Sequence, residues 1–235
     1  KGGGGVQFRF FLPQVHMDDI IENEFCLYPW GQEGRYYPLS VIRGFIEAHG
    51  VTLSPLPVIC VDPSNDTRLA QVLQRVQAFA AQCPTVQERV RALALAVYYE
   101  MGGAHAALNE VAERHLSLLV ERQGLTGGTV SMGSIRLGDS RVRATLFKLA
   151  CDRLGVPCSL VRGAVPDVDV TSGFMDLSLC SPDPSYAHSH HWNIVTLEGE
   201  TCFLVDTVGL PTDLRQVEDS QALLRQFGLA DKNSL

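Results

Sequence analysis

The sequence predicts an α+β domain, with helices gathered in the first half and a small antiparallel sheet in the second. Two observations carry this. Segments between residues 39 and 123 repeat apolar side chains at three- and four-residue spacing, as a helix with one buried face does. After residue 140, one helical segment precedes three short runs suited to strands, the last two separated only by Glu198-Gly199-Glu200, a hairpin-length turn. Helices in series followed by paired strands is α+β ordering; an α/β fold would alternate them.

Each element has its own local reason. Residues 6–37 carry aromatics and prolines without period and are expected to form an irregular lead-in packed on the core. From Leu39, the positions Val41, Ile42, Phe45 and Ile46 fall on one helical stripe, which Gly50 stops. Pro57 to Asp62 is a short apolar run bounded by prolines, the pattern of a buried strand. Leu69, Val72, Leu73, Val76 and Phe79 then predict a helix with one buried face, ended by Pro84. Thr85-Val86-Gln87-Glu88 has the capping-box form, in which a hydroxyl and a carboxylate satisfy free N–H groups at a helix start. The helix it opens should end at Gly102-Gly103, and a further one should run from His105 to Gln123 with Leu108, Val111, His115, Leu118 and Leu119 on one stripe. Ser140 to Leu154 reads as a helix closing on Gly155, a residue free to take the left-handed cap conformation. Cys158–Ala164, His190–Leu197 and Thr201–Asp206 are the strands, and 166–187, rich in Pro, Asp and Ser, is a long surface loop.

Composition narrows the function. The 235 residues carry a formal charge of −7, so a phosphate backbone would be repelled unless the basic side chains were gathered on one face, and nucleic acid is not an expected partner. No run of about 18 apolar residues exists to span a membrane. The seven cysteines are odd in number and form no C-x-x-C pair, which suits a reducing compartment and a cytoplasmic setting. Lys1 followed by Gly2 to Gly5 is not a natural start, so the chain is expected to be a piece of something longer.

Three side chains in the second half could work together: Ser140 opening a helix, His190 at the start of a strand, and Asp206 at the end of the next. A helix N-terminus offers unpaired N–H groups and positive potential to an anionic nucleophile, an imidazole can take its proton, and a carboxylate can fix the imidazole tautomer. Strand alternation puts His190 and Trp192 on one face and His191 on the other, so only one of the adjacent histidines can turn toward Ser140. A capping serine, a surface histidine and a hairpin-end aspartate are the plainer alternatives.

The motifs around these residues resemble a known family. Gly138-Asp139-Ser140-Arg141-Val142-Arg143-Ala144 with Leu154-Gly155-Val156-Pro157-Cys158 is similar to the nucleophile helix and following strand entry of transglutaminase-like (papain-like) folds. His190-His191-Trp192-Asn193-Ile194-Val195 resembles their H-x-W-N-x-V strand, and Phe203-Leu204-Val205-Asp206-Thr207 the strand bearing the acid. Met132 to Gly138, Arg141 to Lys148 and Met101-Gly102-Gly103 further resemble the regulatory domain of plant Raf-like kinases of the constitutive-triple-response and enhanced-disease-resistance type. The same domain closes a ciliary armadillo repeat-containing protein, to which the tail from Val208 to Phe227 is more similar.

The resemblance implies a transglutaminase-like fold with N-terminal helices packed on a small antiparallel sheet, divided as a lead-in over 1–25, the domain over 26–215, and a C-terminal helix and tail over 216–235. It also implies a triad at Ser140, His190 and Asp206 whose nucleophile is cysteine in the family pattern and serine here. A thiol at such a site ionises, whereas a hydroxyl stays protonated and needs an aligned base and an oxyanion hole. The expectation is therefore a pseudoenzyme with a vestigial triad, acting as a protein-binding or regulatory module. A laboratory Cys-to-Ser exchange, a working serine amidase or acyl transferase, a simple helix cap and a purely structural component of a ciliary assembly stay open as alternatives. Partners implied are proteins or peptides, including armadillo repeats of the same chain and axonemal proteins, with the cilium as the finer location.

No cofactor is expected. His188, His190, His191 and Cys180 lack the spacing of a zinc site, and Gly124–Gly128 lacks the Lys of a phosphate-binding loop. Arg136, Arg141 and Arg143 cluster near one helix start; they could hold a carboxylate or phosphate, though packing against acidic side chains is the preferred reading.

Overall fold

A computed structural model describes residues 25–27, 37–38, 58–106, 109–123, 129–164, 189–197, 201–209 and 211–216. The expected helix after Leu39, the 166–187 loop, and the C-terminal helix beyond residue 216 lie outside these residues. What is described is α+β, with two four-stranded sheets and four α-helices.

The first sheet has the order β2-β1-β3-β4, from Tyr37–Pro38, Phe25–Leu27, Val58–Val61 and Thr129–Ser131. β1 runs antiparallel to both β2 and β3, with Cys26 opposite Cys60, whereas β3 and β4 are parallel, with Ile59 opposite Val130. Parallel neighbours need a long crossover. Here it contains helices α1 (Thr67–Ala80), α2 (Val86–Glu100) and α3 (Asn109–Gln123). The lead-in, expected to be irregular, thus contributes β1 and β2; strands of three and two residues are too short to show alternation and form through pairing, β1 with β3 and β2 with β1.

α1 is capped by Asp66, whose carboxylate accepts from Leu69 N at 3.0 Å. It buries Leu69, Val72, Leu73, Val76 and Ala80. Phe79, expected on that face, is 48 % exposed, because Ala80 continues the Leu73–Val76 row and leaves Phe79 on the flank. α2 opens with the predicted capping box: Glu88 N donates to Thr85 Oγ1 and Thr85 N to Glu88 Oε2, both at 3.2 Å. Thr85→Ala should cost about 1 kcal/mol, read as a lower denaturation midpoint at unchanged slope; an unchanged midpoint would mean that the box contributes nothing. A two-pronged ion pair between Arg75 and Glu100, at 2.7 and 2.8 Å, joins α1 to α2 on the outside.

α2 ends at Glu100, where Gly102 and Gly103 take φ of 91° and 59°, and a 3-10 turn at Gly103–Ala106 follows. α3 consequently starts at Asn109, later than the expected His105. Its buried residues are Ala112 and Leu116, while Leu118, expected on the buried stripe, is 42 % exposed. His115 is half-buried and accepts from Arg136 N at 3.1 Å.

α4 (Ser140–Arg153) is the central helix, with every residue from Ser140 to Cys151 buried. A helix covered all round needs little amphipathicity but must satisfy its polar side chains. Thr145 Oγ1 donates to Arg141 O at 2.7 Å, and Lys148 Nζ to Asp152 at 3.0 Å and to Cys158 O at 2.8 Å. Gly155, at φ 67°, ends it with Gly155 N donating to Asp152 O and Val156 N to Cys151 O, the paired bonds of a Schellman cap.

The second sheet is the predicted antiparallel one: β5 (Cys158–Ala164), β6 (Ser189–Leu197), β7 (Thr201–Val205) and the two-residue β8 (Arg215–Gln216), in sequence order. Cys158 pairs with Val195 and Asn193 with Val205. Both β5 and β6 pack against α4. Among the described residues, Cys60, Cys83, Cys151, Cys158 and Cys202 form no disulfide. Burial, then the neighbouring Cys158, pushes the Cys151 thiol well up, which leaves it unreactive.

Candidate functional site

The site is assembled where the N-terminus of α4 meets the start of β6 and the residues following β7. Asp139 is the N-cap of α4, accepting from Val142 N through Oδ1 at 2.8 Å. Ser140 is therefore the first helical residue and not the cap, which removes the plainest alternative for it. It is 6 % exposed. β7 pairs with β6 only from Asn193 onward, so the β7-side edge of β6 is bare at His191. The His191 N–H donates to Ser140 Oγ at 3.3 Å.

His190 behaves differently from its neighbour. Its Nε2 stands 3.2 Å from Asp206 Oδ2, with the two side chains 10 % and 19 % exposed. Trp192, two residues along, stacks against the ring at 6.1 Å between centroids and 22° between planes. Alternation thus separates the adjacent histidines as expected: His190 reaches the carboxylate by its side chain, and His191 reaches Ser140 by its main chain. No hydrogen bond joins Ser140 to His190 among the described residues. With Nε2 on Asp206, Nδ1 is the nitrogen left for any proton transfer.

Asp206 is held from two sides. Val208 N donates to its Oδ1 at 2.9 Å. Burial pushes its carboxyl up, but the His190 charge and hydrogen bond, together with the Val208 and Gly209 N–H groups, outweigh this and hold it below the usual range. A depressed carboxyl contributes stability above its unfolded pKa and loses it as pH falls through the folded one. Asp206→Asn should accordingly lower Tm at neutral pH and flatten the fall in Tm below about pH 4. Parallel acid limbs in the two proteins would contradict this.

The three arginines expected to act together have separate fates. Arg136 is exposed, and Arg141 lies 3.9 Å from Asp139. Arg143 is fully buried, and its described hydrogen bonds all go to main-chain carbonyls. Its Nε donates to Gly138 O at 2.7 Å, Nη1 to Thr207 O at 3.0 Å, and Nη2 to Met101 O at 3.0 Å and Gly103 O at 2.7 Å. Tyr98 covers the guanidinium, with Cζ 5.3 Å from the ring centroid. Burial lowers its pKa, opposed by Tyr98, Asp206 and Asp139. The acid-packing expectation overlooked that a guanidinium with five donors can be satisfied by carbonyls alone.

Asn193 was not singled out from the sequence, although a polar residue inside an apolar strand is a visible signal. It is fully buried, and its Nδ2 donates to Ala144 O at 3.0 Å and Ser159 O at 3.4 Å, tying β6 to α4. Among the described residues, Asn193 Oδ1 and Thr207 Oγ1 are buried and meet no hydrogen-bond partner. Among the described residues no group of three His, Cys, Asp or Glu side chains could hold a metal ion, and no helix is long and apolar enough to cross a membrane. Cys180 and His188 lie outside the described residues.

Residues 45–215 match the family model described as EDR1/CTR1/ARMC3, peptidase-like. The "Probable serine/threonine-protein kinase SIS8" of Arabidopsis thaliana is 33 % identical over 137 residues, 55 % of this chain and 13 % of that protein. "Serine/threonine-protein kinase CTR1" of the same plant is 29 % identical over 111 residues, 47 % of this chain and 14 % of the kinase. The matched segments are thus a small part of each relative's length. Since the family match runs from before β3 to the start of β8, through α4 and every strand that carries the site, the chain belongs to the EDR1/CTR1/ARMC3 peptidase-like family.

Proposed function

We propose that this peptidase-like domain is a non-catalytic module that binds a peptide or a neighbouring domain, with Ser140, His190 and Asp206 as a vestigial triad. The observation that carries this is at Ser140: its hydroxyl oxygen accepts a main-chain N–H from His191 and is not bonded to the imidazole of His190. A serine activated for attack donates its proton to a base. Here the base and its carboxylate are paired with each other beside a hydroxyl they do not activate. The family's kinase relatives support a regulatory setting within a longer protein. On this reading the domain proper spans 26–215. The likeness of the tail supports a parent with armadillo repeats, working in the cytoplasm and at the cilium; imaging the tagged full-length parent, with signal confined away from cilia, would overturn that finer placement.

The intact His190–Asp206 pair favours one other reading, a serine amidase or acyl transferase that completes its geometry only on substrate binding. A titration with extended peptides separates the two. Binding without turnover should perturb the His191 and Val208 amide resonances and leave the peptide uncleaved. Cleavage that disappears in Ser140→Ala would overturn the proposal.

A further inference from the structure

Arg143 makes no described hydrogen bond to Ser140, His190 or Asp206, yet two of its bonds go to the segments that carry Ser140 and Asp206, and the other two to the turn that closes α2. Gly138, whose carbonyl accepts from Nε, lies one residue before the Asp139 cap and two before Ser140. Thr207, whose carbonyl accepts from Nη1, directly follows Asp206. Met101 and Gly103, which share Nη2, form the turn closing α2, and Gly138 N donates back to Met101 O at 3.2 Å. One planar group therefore spans the backbone leading into α4 and the backbone leaving β7.

We propose that Arg143 is the positioning residue of the candidate site, fixing the separation between Ser140 and the Asp206–His190 pair through its carbonyl cradle. This goes beyond the binding-module reading, since it holds whether the site reacts or only binds. Its chemistry requires the fork: lysine offers a point charge on a flexible stem and cannot reach carbonyls on three segments at once. The Tyr98 ring lies over the guanidinium, 5.3 Å from Cζ to the centroid, and packs it in the cradle.

Arg143→Lys keeps the charge and loses the fork, so it separates geometry from electrostatics. In this variant the Asp206 carboxyl, followed by its 13C resonance, should titrate roughly half to one unit higher than in the wild type, as its lowering contacts loosen. Amide exchange at Val208 should quicken, while exchange in β3 and α1 follows only the global loss of stability. An Asp206 titration and Val208 exchange matching the wild type in a folded Arg143→Lys protein would overturn the proposal. Should that variant fail to fold, the wild-type guanidinium gives the answer. Separate, slowly rotating Nη resonances that shift with the Asp206 titration support the cradle, and a single averaged, pH-independent signal overturns it. Peptide cleavage by the wild type would refute the non-catalytic reading and leave this result untouched.

Discussion

Ser140→Cys should yield a thiol that iodoacetamide alkylates with a pH midpoint at least about one unit below the ordinary 8.5, giving roughly tenfold more thiolate at neutral pH. The first position of α4 lies beside N–H groups that no earlier turn can satisfy, and the helix dipole adds positive potential there. The His190–Asp206 pair supplies the second stabilising influence. Oxygen profits little from this environment because a hydroxyl stays protonated at any accessible pH, whereas sulfur needs only a modest push. Labelling is read by mass spectrometry on the peptide containing residue 140, against a wild-type background from the half-exposed Cys60 and Cys83. His190→Ala in the same background should return the midpoint toward that of a free thiol. An ordinary midpoint in Ser140→Cys would mean that the pocket has no capacity to activate a nucleophile.

Gly133→Ala should be the most damaging single methyl addition in the described chain, costing about 3–5 kcal/mol from overpacking and lost hydrogen bonds combined. A Cβ at Gly133 would stand 2.5 Å from Leu69 N and strike both carboxylate oxygens of Asp66. That carboxylate cannot yield cheaply. It caps α1 through Leu69 N at 3.0 Å and accepts from Gly133 N at 2.7 Å and from Ser131 Oγ. Displacing it frees the start of α1 and unties the 3-10 turn at Met132–Ser134 that follows β4. Asp66→Ala removes the same bonds without the clash and should cost less. Denaturant midpoints decide the matter: Gly133→Ala within about 1 kcal/mol of the wild type would show that Asp66 is replaceable.

How much was legible beforehand follows from how local each signal is. The capping box at Thr85–Glu88, the stripe from Leu69 to Val76 and the left-handed Gly155 are written within a few residues, and α1, α2 and α4 formed where these placed them. The β6–β7 hairpin was equally plain from its three-residue turn. β1, β2 and β4 were not, since each is at most three residues long and exists by pairing with a partner far along the chain. Phe79 and Leu118 depart from the expected stripes for a related reason: spacing leaves the exact edge of the buried face open, and Ala80 and Leu116 are the residues buried there.

At the site, the order of Ser140, His190 and Asp206 was readable from motif spacing, and the last two meet at 3.2 Å. Arg143 was misread because net charge directs attention to acidic partners. The better signal was its place among Val142, Ala144, Leu146 and Phe147, a run that commits the helix to full burial and any charge within it to fixed hydrogen-bond partners, main-chain carbonyls in the case of Arg143.

The central claim is that Ser140 sits in a peptidase-like site without acting as a nucleophile. Incubating the wild-type domain with a fluorophosphonate probe and weighing the peptide that contains Ser140 tests it most directly. The account predicts no added mass at that residue under conditions that fully label a serine hydrolase. A stoichiometric adduct on Ser140, absent in His190→Ala, would contradict it.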